Sequence, residues 1–189
     1  MEMRIVFFGT YVLSDAYPVN KVLYEGTHAA AHEVQACRVE LWQGFLHRAF
    51  GGGLGHWLRW SLRALGGYAR LLWQYLRCGE HAVVVVGYPG YLDIVVARLL
   101  NLFSRRLLVL VSFISLYDTV VLDRGRVGPQ KLRARLLYAL DRLAFRCADW
   151  VLVDTQALAT YYAELFDLPL NTFRKSMVGN VFDRFQPVV

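Results

Sequence analysis

The apolar positions of the chain fall into short unbroken runs that alternate with longer segments of helical spacing. The short runs are rich in valine, leucine and aromatic residues, and most of them end at a glycine or a polar residue. Such runs are typical of buried strands, and an all-apolar run is typical of a parallel strand covered on both faces. The predicted strands are residues 4–8, 32–42, 82–86, 107–111, 150–153 and 173–178.

Between these runs, apolar residues recur at the spacing of an α-helix. Pro18 suits the first turn of the first helix, and Thr155 can cap the last one. The predicted helices are residues 18–31, 57–77, 91–103, 132–147 and 156–166. Strands that alternate with helices predict a Rossmann-like three-layer α/β domain, with a parallel sheet of about six strands and right-handed crossovers.

The segment 57–77 has the clearest helical pattern. At about 100° per residue its aliphatic positions fall in one narrow stripe, which we expect to face the core. The stripe consists of Leu58, Leu62, Leu65, Ala69, Leu72 and Leu76. Aromatic residues lie to one side of it and arginines to the other, so a membrane-surface helix is one interpretation and a core helix with a solvated arginine face is the alternative. The membrane-surface candidates are Trp57, Arg59, Trp60, Arg63, Arg70 and Arg77.

Length and composition indicate one domain with an unusually apolar character. The chain has 189 residues, which suits a single domain covering 1–189. Hydrophobic residues make up 56% of it, which predicts a dense core or an apolar surface for a membrane or partner. The longest apolar stretch, 107–117, is shorter than the about 20 residues of a membrane-spanning helix. Because the start lacks the pattern of a secretory signal, a cytoplasmic protein is predicted.

Charge and cysteine content exclude several classes of site. The formal charge of +6 is carried mostly by arginine, which favours phosphates or acidic lipid surfaces, whereas no recognised motif supports nucleic-acid binding. Cys37, Cys78 and Cys147 lie far apart in sequence without a Cys-x-x-Cys pair, which indicates three reduced, mostly buried thiols. The five histidines lack a second ligand at metal-binding spacing, so no metal is predicted.

The common phosphate-binding and catalytic motifs are missing from the sequence. The glycine cluster 51–55 fails the G-x-G-x-x-G spacing because position 56 is histidine, so we interpret it as a flexible connector and not as a phosphate loop. There is no G-x-S-x-G elbow and no P-loop, so hydrolase and NTPase functions have no supporting motif.

Ligands of parallel sheets bind at the carboxyl ends of the strands, which makes four loops candidates: 9–17, 87–90, 112–128 and 154–155. A loop as long as the third is more often functional than neutral. Its carboxylates are Asp118 and Asp123, and Asp118 is the candidate to orient or deprotonate an acceptor hydroxyl, the alternative being a solvated or turn-capping aspartate. The segment Tyr88-Pro89-Gly90-Tyr91 either stacks on a sugar or lipid headgroup or only opens the following helix.

Several tracts together resemble the N-terminal, acceptor-side domain of GT-B-fold glycosyltransferases, family 4 and its relatives. The tracts are MRIVFFGTY, HEV, VVVVGYPG, SFISLYDT and DRLAFRCADWVLVDTQALATYYAELF. The tail FRKSMVGNVFDRFQP is similar to the strand, glycine, acidic loop and Phe-x-Pro that lead such enzymes into their interdomain linker. The resemblance covers nearly the whole chain.

The resemblance implies that this domain binds a sugar or lipid-linked acceptor, while a second domain binds the nucleotide-sugar donor without a metal. We therefore expect the chain to be half of an enzyme, with no cofactor of its own and inactive without a donor-binding domain or partner chain. Many members of the family dock on membranes, which implies a peripheral position on the inner face, and apolar surface meant for the other domain also favours a homo-oligomer. The alternative function is a non-catalytic module that anchors to an anionic membrane surface. The acceptor-binding residues implied are Gly9, Thr10, Tyr11, Tyr88, Phe113, Ser115, Tyr117 and Thr119.

Overall fold

In a computed structural model of the chain, the residues described are 3–14, 18–30, 32–41 and 54–176, with no description of the side chains of 54–60. These residues form a sheet of six strands in the order β2-β1-β3-β4-β5-β6, and every strand pair is parallel. The strands are β1 (Arg4–Gly9), β2 (Glu33–Arg38), β3 (Val83–Val86), β4 (Leu107–Val111), β5 (Trp150–Val153) and β6 (Phe173–Lys175). The helices are α1 (Pro18–Ala29), α2 (Leu54–Arg77), α3 (Tyr91–Leu100), α4 (Leu132–Cys147) and α5 (Gln156–Phe166). The predicted Rossmann-like α/β fold is confirmed.

Most element boundaries agree with the sequence pattern, although β2 ends at Arg38 and not at 42. Helix α3 ends at Leu100 and not at 103, because the Asn101 side chain closes a turn by donating to the Arg106 carbonyl at 2.6 Å and accepting from the Arg106 amide at 3.0 Å. The predicted loop 112–128 contains a π-helix, Asp118–Asp123, which the pattern did not indicate. The glycine cluster at 51–53 and the tail from 177 onward lie outside the described residues.

The helices are distributed unequally over the two faces of the sheet. Ile5 and Phe7 of β1 pack against Leu23 and Tyr24 of α1, whereas the alternate positions of β1, β3 and β4 belong to a core shared with α2, α3, α4 and α5. The crossover from β1 to β2 runs along the sheet in the opposite direction to the other crossovers. Right-handed crossovers therefore place α1 on one face and α2 to α5 on the other.

The predicted core stripe of α2 is wrong, because most of it points away from the sheet. Leu62, Leu65 and Leu76 are 61%, 69% and 76% exposed, and the side chain of Leu58 lies outside the description. The buried face is formed instead by Gly67, Leu71 and Tyr75. Within the described residues, no helix is long and apolar enough to cross a membrane.

The tyrosines of α2 explain why this face is buried. Tyr75 packs its ring edge-on against Phe8 and accepts a hydrogen bond from Nη1 of Arg106 at 2.8 Å. A tyrosine can bury its ring when its hydroxyl has a polar partner. That partner belongs to a distant segment of the chain, and helical periodicity carries no information about it. Periodicity alone therefore predicts that the leucine stripe is the buried face, which is incorrect.

Candidate functional site

Strands β1 and β3 are neighbours in the sheet, but the segments that follow them go to opposite faces. The chain leaves β1 for α1 on one face and leaves β3 for α3 on the other. This is the topological switch point of an open α/β sheet, where a crevice forms beyond the carboxyl ends of the strands. Two of the predicted loops, 9–17 and 87–90, meet here, although residues 15–17 lie outside the description.

A buried carboxylate, that of Asp93, lies at the base of this crevice. Asp93 lies in the first turn of α3 and is 1% exposed. It accepts hydrogen bonds from the Thr10 amide at 2.7 Å, the Thr10 hydroxyl at 2.9 Å and the Tyr68 hydroxyl at 2.7 Å. Burial raises the pKa of Asp93, while these donors act in the opposite direction. The carboxylate thereby joins the end of β1 and helix α2 to α3.

Gly9 is required for this close approach. Its φ of +139° lies in a region that side chains rarely adopt, and a Cβ atom there would be 2.7 Å from Oδ2 of Asp93. A glycine at the end of β1 therefore lets the carboxylate reach the amide of the next residue.

Asn20 of α1 connects the two loops of the crevice. Its Nδ2 donates to the Tyr88 carbonyl at 2.6 Å and to the Val12 carbonyl at 3.2 Å, and its Oδ1 accepts from the Tyr88 amide at 2.8 Å. The Tyr88–Pro89 peptide is cis, and the Tyr11 ring fills the space that a side chain at position 87 would need. The hydrogen bonds to Asn20 fix the backbone of Tyr88, while its side chain is half-buried.

A second buried carboxylate, Asp141 of α4, organises the segment after β4. Its Oδ2 accepts from the Ser115 hydroxyl at 2.6 Å and from the Tyr117 amide at 2.8 Å. Its Oδ1 is buried and has no hydrogen-bond partner within the described part of the chain. Burial raises the pKa of Asp141 to about 6, although the two hydrogen bonds act to lower it.

Asp118, the candidate catalytic residue, lies in the first turn of the π-helix. Its carboxylate is half-buried and accepts a hydrogen bond from the Tyr161 hydroxyl at 2.8 Å, while its amide donates to Oγ of Ser115 at 3.0 Å. The structure thus connects Asp118 to the Asp141 cluster through Ser115. It shows no contact between Asp118 and Asp93.

A basic cavity of about 560 Å³ lies beside the crevice, beyond the carboxyl end of β2. Gly67 lines it, and the adjacent Tyr68 holds Asp93. Arg63 and Arg70 are exposed in its wall and have no ion-pair partner among the described residues. The charged residues of the lining are Arg38, Glu40, Arg63 and Arg70. Arg38 bonds Glu40 at 2.6 Å, so the cavity has an excess of positive charge.

A larger cavity, of about 830 Å³, lies at the opposite edge of the sheet. It is lined by residues at or just before the starts of β1, β3 and β4, among them Arg4, Glu80 and Arg105. Ligands of such sheets bind at the carboxyl edge, where the buried carboxylates lie, so we assign the functional site to the carboxyl edge in spite of the smaller volume. Across the described ranges, no three His, Cys, Asp or Glu side chains lie together in a way that would hold a metal ion.

The predicted acceptor-binding residues fall into two groups. Thr10, Tyr11 and Ser115 are buried, and together with Gly9 they support the loops from the interior of the protein. The half-buried group, which offers side-chain surface to a ligand, is Tyr88, Phe113, Tyr117 and Thr119. Of the predicted membrane-surface residues, Arg63, Arg70 and Arg77 are exposed, and the side chains of Trp57, Arg59 and Trp60 are outside the description.

Sequence reasoning missed Asp93, Asn20, Tyr68 and Asp141. One signal was available, because Asp93 and Asp141 are single acids within apolar helical stretches, YLDIVV and LLYALDRLAF. An acid on an apolar helix face is rarely buried without partners, so both positions indicated buried polar networks.

Comparison with known proteins adds no family to this geometry. No family model matches the sequence, and no curated protein matches it. Function is therefore inferred from the residues and contacts of the chain itself.

We predict that Gly9→Ala lowers the free energy of unfolding by roughly 2–4 kcal/mol, because it strains the backbone and displaces the Asp93 carboxylate. The matched control is Gly26→Ala in α1, where a Cβ atom meets nothing within 4 Å. That change is expected to stabilise the helix by about 0.5–1 kcal/mol. Urea unfolding followed by circular dichroism measures both, and equal effects of the two substitutions would contradict the role given to Gly9.

We also predict that Asp141 makes the protein less stable as the pH rises. Its folded pKa of about 6 is higher than the about 3.9 of an unfolded aspartate, so between these values the folded chain holds a proton that the unfolded chain has released. The free energy of unfolding should fall from pH 4 to pH 6, by on the order of 2 kcal/mol from this group.

Asp141→Asn removes this contribution, so the variant should gain stability relative to the wild type over that interval. Urea unfolding at several pH values measures the difference. Asp154→Asn, at an exposed aspartate that follows β5, is the control and should follow the wild type. Parallel curves for wild type and Asp141→Asn would show that the carboxyl has an ordinary pKa.

Proposed function

We propose that the chain is the acceptor-binding domain of a nucleotide-sugar-dependent glycosyltransferase. The observation that supports it most is the basic cavity beside the switch point of the sheet, in whose wall Arg63 and Arg70 have no ion-pair partner among the described residues. The tracts that resemble family-4 glycosyltransferases supply the loops of this same edge. Donor binding then belongs to a second domain or a partner chain, and we expect no sugar transfer by this domain alone.

The half-buried aromatic residues suit the binding of a sugar or headgroup. The backbone of Tyr88 is fixed by Asn20, and that of Tyr117 by Asp141. Fixed aromatic rings at the rim of a crevice bury the apolar face of a ligand at little entropic cost. Asp118 is the acid available in the same loop to orient or deprotonate an acceptor hydroxyl, with Tyr161 hydrogen bonded to it.

The basic cavity favours an acceptor that carries an anionic group. Arg63 and Arg70 lie seven positions apart on one side of α2, opposite Arg38 at the end of β2. Arginine binds phosphate oxygens through paired N–H donors. A lipid phosphate in this cavity would lie next to the crevice, because Gly67 lines the cavity and the adjacent Tyr68 donates a hydrogen bond to Asp93. The proposed substrate class is therefore a phosphate-bearing, lipid-linked acceptor.

Acceptor binding is tested by titrating the chain with a soluble short-chain phosphatidylinositol and with a short-chain polyprenyl phosphate. Tyr88→Ala and Phe113→Ala should each weaken binding about tenfold, which is about 1.4 kcal/mol. The matched control is Phe103→Ala, an aromatic residue 97% exposed that follows α3 at the opposite edge of the sheet. Calorimetry gives the dissociation constants.

The proposal fails if neither lipid binds, or if Phe103→Ala weakens binding as much as the two crevice variants. It also fails if the chain alone binds UDP-glucose or GDP-mannose and transfers the sugar, because the donor site would then lie in this domain. Binding of a lipid with no response to nucleotide-sugars supports it.

A second candidate function, a membrane-surface anchoring module, is supported by the outer face of α2. The exposed leucines of this helix and Trp73, which is 54% exposed, form a continuous apolar stripe. A row of exposed arginines, Arg63, Arg70 and Arg77, adjoins the stripe along the helix. Apolar side chains beside arginines suit insertion at the boundary of an anionic bilayer.

Membrane binding is tested by flotation with vesicles of phosphatidylcholine containing phosphatidylserine. The double variant Arg63→Ala/Arg70→Ala should bind roughly 30-fold more weakly, since each arginine near an anionic surface contributes about 1 kcal/mol. Arg133→Ala/Arg135→Ala, at exposed arginines of α4, removes the same charge elsewhere. Equal losses for the two pairs would indicate an effect of net charge only, and would count against α2 as the binding surface.

A further inference from the structure

The thiols of Cys37 and Cys78, which are far apart in the sequence, lie next to each other in the fold. Cys37 lies near the end of β2, and Cys78 directly follows the last residue of α2. Their sulfur atoms are 2.7 Å apart, although neither cysteine is in a disulfide. The sequence did not indicate that two of the three thiols adjoin.

The two sulfurs are close enough to bond without a rearrangement of the backbone. A disulfide needs a separation of about 2.05 Å, so a movement of a few tenths of an ångström by each sulfur is enough. Both cysteines are attached to regular elements that already pack together, since Leu71 and Tyr75 of α2 lie in the same core as Cys37.

The two thiols differ in their access to solvent. Cys37 is 1% exposed, whereas Cys78 is half-buried and donates to the Gln74 carbonyl at 3.4 Å. Burial raises the pKa of the Cys37 thiol, with a further contribution from its hydrogen bond to Cys78. A soluble oxidant therefore reaches Cys78 first, and Cys37 is placed to react second.

We propose that Cys37 and Cys78 are a redox-active pair that closes to an intramolecular disulfide when the chain meets hydrogen peroxide. The Cys78 thiolate attacks one peroxide oxygen, the O–O bond breaks, and the products are a sulfenic acid on Cys78 and hydroxide. The Cys37 sulfur then attacks the Cys78 sulfur, the S–O bond breaks, and the departing hydroxide takes the Cys37 proton as water. In total, two thiols and one peroxide give one disulfide and two waters.

This bond fixes the end of α2 to the edge strand β2. It closes a loop between two positions 41 residues apart, which contains the whole of α2 and both exposed arginines of the basic cavity. A cross-link of this length restricts the unfolded chain and so stabilises the folded one. Oxidation is thereby coupled to the stability of the helix that carries the basic surface.

The experiment oxidises the full native chain with hydrogen peroxide, alkylates the remaining thiols with iodoacetamide after unfolding, and maps the peptides by mass spectrometry. The free thiols should fall from three to one, with a peptide that joins Cys37 to Cys78 and with Cys147 alkylated. Dithiothreitol should restore all three. Thermal unfolding should show the Tm of the oxidised chain falling by roughly 5–10 °C on reduction.

Cys78→Ser should lose both the cross-linked peptide and the effect of dithiothreitol on Tm. Cys147→Ser, at the remaining cysteine, which is half-buried like Cys78, should keep both. If Cys78→Ser does not fold, the peptide map of the wild type still decides the question. The proposal is overturned if the wild type yields no Cys37–Cys78 peptide under excess peroxide, if Cys147 takes part in the cross-link, or if Cys78 is oxidised to the sulfinic acid without pairing.

Discussion

The arrangement of the carboxyl edge depends on one requirement, that the buried carboxylate of Asp93 be hydrogen bonded. A carboxylate removed from water is costly unless donors surround it. Here the donors come from Thr10, at the end of β1, and from Tyr68 of α2. The need to satisfy one side chain therefore fixes how three elements meet. The glycine at position 9 and the orientation of α2 both follow from it.

The sequence was sufficient for the fold because the fold depends on short-range patterns. The bounds of β4, β5, α4 and α5 follow from runs and spacings that the chain shows by itself. The face that α2 buries could not be predicted in the same way. Tyr68 is half-buried and Tyr75 buried there because Asp93 and Arg106 supply partners for their hydroxyls, and these partners lie 25 and 31 positions away in the sequence. Periodicity measures how apolar a face is, but not which partners will meet it.

The candidate site was predicted in outline and not in detail. Parallel topology placed the loops after β1, β3 and β4 at one edge, and the structure agrees with this. The basic cavity could not be predicted because it combines Arg38 of β2 with Arg63 and Arg70 of α2. These two elements are separate in the sequence, with residues 42–53 between them. The role of Asp141 could not be predicted for a similar reason. Its partners Ser115 and Tyr117 lie in a loop that the sequence indicated as ligand-binding.

Among the described elements, α1 is alone on its face of the sheet, and this has a consequence for motion within the native state. Helix α1 packs over a small cluster of buried residues, Ile5, Phe7 and Tyr11, whereas helices α2 to α5 share one extensive core on the other face. The free energy of a local opening follows the apolar surface that the opening exposes. Amide protons of α1 should therefore exchange with deuterium sooner than those of α3 or α5. Because Asn20 of α1 holds the Tyr88 backbone, each such opening also releases one wall of the crevice.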